Sequence, residues 1–400
     1  MAAAVVVGCS DGERAATSPG PSPSVQPTAV SAQPTPSPRT SPARAGTWTS
    51  LHWSAPSILP DSAGFRDVVA WRDAYIAIGE VPGPGAYIGA AFASTDGLRW
   101  ERTTEDSSFS AIPDRLVRTA TRLIAFGARN DAPLSVQAWT SFDGRTWRPE
   151  TTLALSGLGL VAVAAHDATI VAAGVDENGT SAIWRSVDGA AWSASKSLSE
   201  HAIVRGVASV ADGFVALGRE GQPDVASGGI GSPGIGRPAA WWSGDGRTWI
   251  AGQVEGVEAP GAQLIQAFGV ADGLFAIGSD NPTATRSASL WSSTDARDWR
   301  LIGPPARWGF AATNGEQAVV LAFGGVGRDP EGWTSFDGRL WTPLDFSGDL
   351  IHLPVTQQFV GMAGHIDRIY VMPRGVLVIG QVIADQAGSP AAWFAEASIR

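Results

Sequence analysis

The octapeptide TSFDGRTW at Thr140–Trp147 returns with one change as TSFDGRLW at Thr334–Trp341. A Ser, an Asp-Gly pair and a Trp at fixed spacing suit either a catalytic signature or a turn that the fold needs many times. Counting copies decides between them. Six motifs are centred on Asp96, Asp143, Asp188, Asp245, Asp295 and Asp337. They close on Trp100, Trp147, Trp192, Trp249, Trp299 and Trp341. A catalytic group is needed once, whereas this one recurs six times and varies as a turn does. Ala296 replaces Gly in the fifth copy, and Gly244 precedes Asp245 in the fourth. The Asp carboxylate can accept backbone N–H groups inside its own turn, and Gly supplies the left-handed conformation. The Trp is expected to bury its ring between neighbouring units and to satisfy its single N–H.

Upstream of each motif lies a short apolar run ending in glycine, at Gly79, Gly127, Gly174, Gly218, Gly278 and Gly324, with a seventh at Gly380. Successive glycines are 48, 47, 44, 60, 46 and 56 residues apart. An aromatic follows each after a variable loop: Phe92, Trp139, Trp184, Trp241, Trp291, Trp333 and Trp393. Self-similarity at this period marks a propeller or solenoid. Within a unit, turn signals separate four β-type runs. In the fourth copy these are Val204–Ser209, Phe214–Gly218, Ala239–Ser243 and Arg247–Ala251, with the Asp-Gly of Ala211–Gly213 read as a type I′ hairpin turn. Four antiparallel strands per unit make a propeller blade. No stretch reads as an amphipathic helix of three turns or more. The expected fold class is all-β: a seven-bladed β-propeller of four-stranded antiparallel blades over residues 47–400.

The seventh unit stops after Trp393 without an Asp-Gly turn or a closing Trp. Its missing part precedes the first blade, where Trp48–Pro56 is similar to Trp139–Pro149 with the turn shortened. Residues near Leu51–Ala55 are therefore expected to form the outer strand of blade seven and close the ring. Closure removes the free sheet edges that invite aggregation.

The motif resembles the Asp-box, or bacterial neuraminidase repeat, of sialidases and other extracellular propellers, whose usual form is Ser-x-Asp-x-Gly-x-Thr-Trp. Ser141-Phe142-Asp143-Gly144-Arg145-Thr146-Trp147 keeps the order but lacks one residue between Asp and Gly. The resemblance covers residues 48–400. It implies a structural turn between the third and fourth strands, remote from any active site. It also implies that a sialidase would carry an Arg triad, a Tyr/Glu pair, an acid and a Phe/Tyr-Arg-Ile-Pro motif. Phe65-Arg66-Asp67 lacks the Ile-Pro, and the only tyrosines are Tyr75, Tyr87 and Tyr370. Sialidase chemistry is not expected.

Charge and composition narrow the rest. The balance of 28 basic against 38 acidic residues gives −10, so a nucleic-acid partner is not expected. The single cysteine, Cys9, excludes a disulfide framework or a cysteine metal site. Val6-Val7-Gly8-Cys9 resembles a bacterial lipobox, with Cys9 as the lipid attachment site. Only eight residues precede Cys9 and none is basic, unlike a complete signal peptide, so residues 1–9 read as a truncated lipoprotein signal. Residues 10–46, with eight prolines among Ser, Thr and Ala, read as a disordered, extended spacer. No 20-residue apolar run follows, so a membrane is expected to be met only through the lipid. The expected location is the outer face of the bacterial cytoplasmic membrane or cell envelope, as a monomer.

Strand alternation puts the strand 1–2 turns and the Ser-Asp-Gly turns on one face. The strand 2–3 loops and the blade connectors lie on the other. The irregular insertions, including Gly221–Pro238, Asp280–Ser287, Ala251–Gly261 and Thr342–Gln358, all belong to the second set, where function is expected. A glycosidase needs two carboxylates about 5–9.5 Å apart. The catalytic candidates on this face are Asp345, Asp349, Glu255 and Glu258, with Glu105, Asp106 and His352 nearby in type. Asp176-Glu177-Asn178 matches no EF-type calcium loop, and the Gly228–Gly236 run lacks the strand–helix setting of a nucleotide loop. No metal or cofactor is expected. The leading expectation is a non-catalytic binding or scaffold module for a glycan or envelope protein; the alternative is a divergent glycoside hydrolase using loop carboxylates.

Overall fold

A computed structural model describes residues 48–105, 108–129, 135–150, 159–175, 181–195, 198–199, 201–221, 235–256, 258–260, 262–279, 289–302, 310–322, 331–348, 365–384 and 387–399. The lipobox, the spacer, Asp349, His352 and Asp176–Asn178 lie outside them. The repeating glycine explains how a blade starts. In blade 1, strand 1 (Gly64–Trp71) pairs with strand 2 (Ala74–Pro82), and the register slips between Phe65 and Asp67, opposite Gly79. The same slip recurs opposite Gly174, Gly218, Gly278 and Gly380. A bulge brings the first strand's backbone against the glycine. A Cβ would stand 2.0 Å from Gly64 O at Gly79, 1.8 Å from Ile203 O at Gly218 and 2.1 Å from Gln263 O at Gly278. Only glycine fits, because the obstacle is backbone.

The described residues form seven separate sheets, each built on four antiparallel strands, which run in sequence order from strand 1 outward in six of them. Added short strands bring two sheets to five strands and one to six. Blade 4 runs Ala202–Val210, Gly213–Gly221, Ile235–Ser243 and Ile250–Ala251. Its first hairpin differs from the type I′ expectation. The turn is Ala211-Asp212, and the positive φ falls on Gly213 (140°), whose Cβ would lie 2.2 Å from Ser243 O. The fourth strand shrinks to two residues because the Ser-Asp-Gly turn uses the rest.

Seven apolar clusters fill the seven blade interfaces. Ile78 and Ala91 of blade 1 pack with Leu123, Trp139 and Trp147 of blade 2. Phe65, Phe92 and Trp100 of blade 1 pack with Leu377 and Ile379 of blade 7, which brings the ring back to its start. A cluster at every interface, including this one, is what a closed ring requires.

Blade 7 is assembled from both ends of the chain. Strands His365–Met372, Gly375–Ala384 and Ala387–Ile399 are joined by Trp48–Trp53, antiparallel to the last, with Leu51 opposite Ala397 and Trp53 opposite Ala395. The strand starts and stops earlier than expected. Ser54 N–H still donates to Phe394 O, but Pro56 has no N–H to continue the ladder. Nor does Trp48–Trp53 contain a shortened turn; it is one strand. Two connectors add strands that sequence periodicity did not announce. Asp345–Gly348 runs parallel outside Trp48–Trp53, and Gln253–Val254 runs parallel outside Asp298–Leu301 of blade 5. Each covers an edge that would otherwise be open.

Candidate functional site

The Ser-Asp-Gly turns commit their polar groups internally. In blade 2, Gly144 N–H donates to Ser141 Oγ (2.8 Å), and Ser141 Oγ donates to Asp143 Oδ1 (3.0 Å). Arg145 and Thr146 N–H donate to the same carboxylate at 2.8 and 2.7 Å. Desolvation pushes the Asp143 carboxyl up, but these donors outweigh it and hold the pKa at about 2. Asp96, Asp188, Asp245, Asp295 and Asp337 accept equivalent bonds and are likewise held below the usual carboxylate value. The indole N–H of Trp100, Trp192 and Trp299 reaches the carbonyl of the turn's third residue at 2.9, 3.0 and 3.1 Å. Those of Trp147, Trp249 and Trp341 are buried with no hydrogen-bond acceptor among the described residues, so the expected satisfaction holds for half of them.

Of the sequence-derived catalytic candidates, Glu255, Glu258 and Asp345 fall within the described residues. Glu255 accepts Leu301 N–H at Oε2 (3.0 Å), while its carbonyl accepts Trp291 Nε1–H (2.7 Å). It thus clamps the outer part of blade 5. Asp345 pairs with Ser50 on the outer edge of blade 7, with blade 6 in between. Glu258 is exposed beside Ala259–Pro260, a pair that hydrogen-bonds to the start of blade 4's third strand. Asp349 lies outside the described residues.

The inner strands carry charge that the sequence reading passed over. Asp67 on blade 1 is half-buried and accepts Val68 N–H (2.9 Å) and Leu116 N–H of blade 2 (2.8 Å). Burial raises its pKa; the Leu116 and Val68 amides and the Arg368 and Arg115 charges only partly offset this. Arg115 of blade 2 donates from Nη2 to Val161 O of blade 3 at 3.1 Å. On blade 7, the Tyr370 phenol is buried, and burial, followed by the Asp67 charge, pushes its pKa above the ordinary value. Asp67, Arg115 and Arg368 all occupy the position after the bulge, one residue before the recurrent glycine in the facing register. Their recurrence at this register is the signal that could have found them. The bonds of Asp67 and Arg115 tie blade 1 to blade 2 and blade 2 to blade 3.

A cavity of about 700 Å³ opens on the face of the strand 1–2 turns, lined by Trp71, Arg72, Arg118, Thr119, Thr121 and Asp167. These residues end the inner strands of blades 1, 2 and 3. The Trp71 indole N–H donates to Phe142 O (3.2 Å), and the Arg72 guanidinium stands 5.6 Å from the Trp71 ring centre. Arg118 Nη1 donates to Ala70 O at 3.4 Å. The opposite face, built from the strand 2–3 loops and connectors, lies largely outside the described residues. Among the described residues no group of three His, Cys, Asp or Glu side chains is placed to hold a metal ion.

With fold and geometry in hand, the chain is a seven-bladed β-propeller. No protein-family model and no curated protein matches it. Solved propellers do. YCF48, in a structure described as bound to D1 peptide, is 16% identical over 88% of this chain and 100% of its own, with a TM-score of 0.52. The β-propeller domain of the Trilobed protease from Pyrococcus furiosus is 8% identical over 84% of this chain and 97% of its own, at 0.48. Trypanosoma rangeli sialidase is 11% identical over 71% of this chain and 54% of its own, at 0.40. At these identities the likeness concerns the fold.

Proposed function

We propose that this chain is an extracytoplasmic binding module, tethered through Cys9 and the 10–46 spacer, whose propeller engages a protein or glycan without transforming it. One observation carries the reading: the connections whose length varies most leave from the same ends of the strands. The strand 1–2 turns are all two to four residues long. The strand 2–3 loops range from the two residues between Ala384 and Ala387 to the thirteen between Gly221 and Ile235. Variable loops on a rigid, repeated scaffold are where proteins place recognition. The Glu255 carboxylate is already engaged by Leu301 N–H, which favours recognition over its use in carboxylate-pair hydrolysis. YCF48 shares the fold and is bound to a peptide, which makes a protein partner a reasonable class to test.

The test presents the full chain to a glycan array and an overlapping-peptide array, and in parallel to a panel of fluorogenic glycosides. The reading predicts saturable retention of a subset of glycans or peptides, weakened when residues 222–234 are replaced by a short Gly-Ser linker, with no turnover. Turnover that disappears in Glu258→Gln or Asp349→Asn would replace it with the hydrolase.

A further inference from the structure

We propose that the cavity on the strand 1–2 turn face is a second ligand site, selective for a small organic carboxylate with an apolar body. It lies on the face opposite the variable loops, so it does not depend on how those loops bind.

Two observations point to it independently. The first is the lining chemistry. Arg72 and Arg118 bring two guanidiniums to one opening, against one carboxylate, Asp167. Guanidinium pairs well with carboxylate because its planar donors match both oxygens. Beneath Arg72, Trp71 has used its N–H on Phe142 O, so what remains of its ring is apolar. The Thr119 hydroxyl is occupied within its own turn by Arg122 O and the Arg122 N–H, which fixes the rim between the two arginines. Trp71 is 8% exposed, so the opening offers charge at its edge and a narrow apolar strip of indole behind it. Its volume of about 700 Å³ is ample for a small molecule.

The second observation is backbone strain. Five blades join strands 1 and 2 by two-residue turns: 72–73, 167–168, 211–212, 271–272 and 373–374. Only Arg72 (φ 54°) and Asp167 (φ 51°) place a non-glycine residue in the left-handed region there. Both line the cavity, and the three turns away from it are free of this strain. Asp tolerates the conformation, whereas for Arg the one local contact is its guanidinium 5.6 Å from the ring centre of the adjacent Trp71. Retaining Arg where glycine would relax the turn is what a ligand-facing guanidinium would require. Asp167 also lines the opening, with its carboxylate 3.8 Å from His166 Nε2, and can accept from a hydroxyl or amino group on the same ligand.

The experiment uses the full-length chain with 4-hydroxybenzoate as probe and 4-hydroxybenzamide as its neutral counterpart, followed by saturation-transfer NMR and calorimetry. The expected result is saturable binding of the carboxylate, with the amide at least about tenfold weaker, a gap of about 1.4 kcal/mol. Arg118→Gln and Arg72→Gly each lose that preference. Arg72→Gly does so while its melting temperature stays level or rises, which separates a lost site from a damaged fold. Equal affinity for acid and amide, unchanged affinity in Arg72→Gly, or no saturation by about 10 mM would overturn the proposal.

Discussion

At the scale of single residues, the turn motif is explained by what each side chain touches. Asp143 holds two amides and two hydroxyls, and Gly144 takes φ 74° while facing the neighbouring blade, where a Cβ would stand 2.5 Å from Ile76 Cδ1. The fifth copy breaks the rule with Ala296 at φ 62°. Ala296 shares its buried cluster with Val215, which holds the place that Ile76 and Ile124 hold against Gly144 and Gly189 and lacks their Cδ1. At Gly246, where Val171 holds the same place, a Cβ would stand 2.8 Å from Val171 Cγ2, so a valine eases the contact without removing it, and the backbone strain remains. It follows that Gly144→Ala should cost about 2–3 kcal/mol, the sum of left-handed strain and the clash. In the Ile76→Val background the same change should cost measurably less, although Ile76→Val alone costs about 1 kcal/mol. Urea unfolding of the four proteins measures this coupling; strict additivity would contradict the packing account.

At the scale of strands, the recurrent glycine and the bulge opposite it form one device. The bulge turns the first strand's carbonyl toward the glycine, and no side chain can be accommodated because the obstacle is main chain on both sides. Gly218→Ala, with its Cβ 1.8 Å from Ile203 O, should therefore destabilise by about 3 kcal/mol or more, as far as a strongly overpacked core position. A loss within about 0.5 kcal/mol, typical of a surface change, would show that the bulge is not fixed. This is also where sequence reading was strongest. Glycine spacing, turn motifs and aromatic positions carry a period, and a period survives variation in any one copy. What lacked a period stayed hidden. The parallel strands Gln253–Val254 and Asp345–Gly348 are single events in two connectors, too short to show alternation. Glu255 therefore read as a loop acid until its bonds to blade 5 were visible. The charges of Asp67, Arg115 and Arg368 recur at equivalent registers, a signal diluted because blades 3 and 4 carry Ala162 and Gly206 there.

For the whole molecule, everything said about its two faces rests on a closed ring. Leu51 and Trp53 are fully buried, and the N-terminal strand joins the two chain ends across blade 7. A closed ring fixes the blades relative to one another, so a cavity shared by three blades keeps its shape and loops can vary without opening an edge. The decisive measurement is a cross-link at that closure. His52 and Glu396 are exposed partners in the antiparallel register. In a Cys9→Ser background, His52→Cys with Glu396→Cys should oxidise readily to one intramolecular disulfide and raise the melting temperature, since the bond closes nearly the whole chain. His52→Cys with Ala397→Cys, one residue out of register with side chains on opposite sides of the sheet, should remain as free thiols. Free thiols in the first pair, or equal cross-linking in both, would contradict the closed seven-bladed ring.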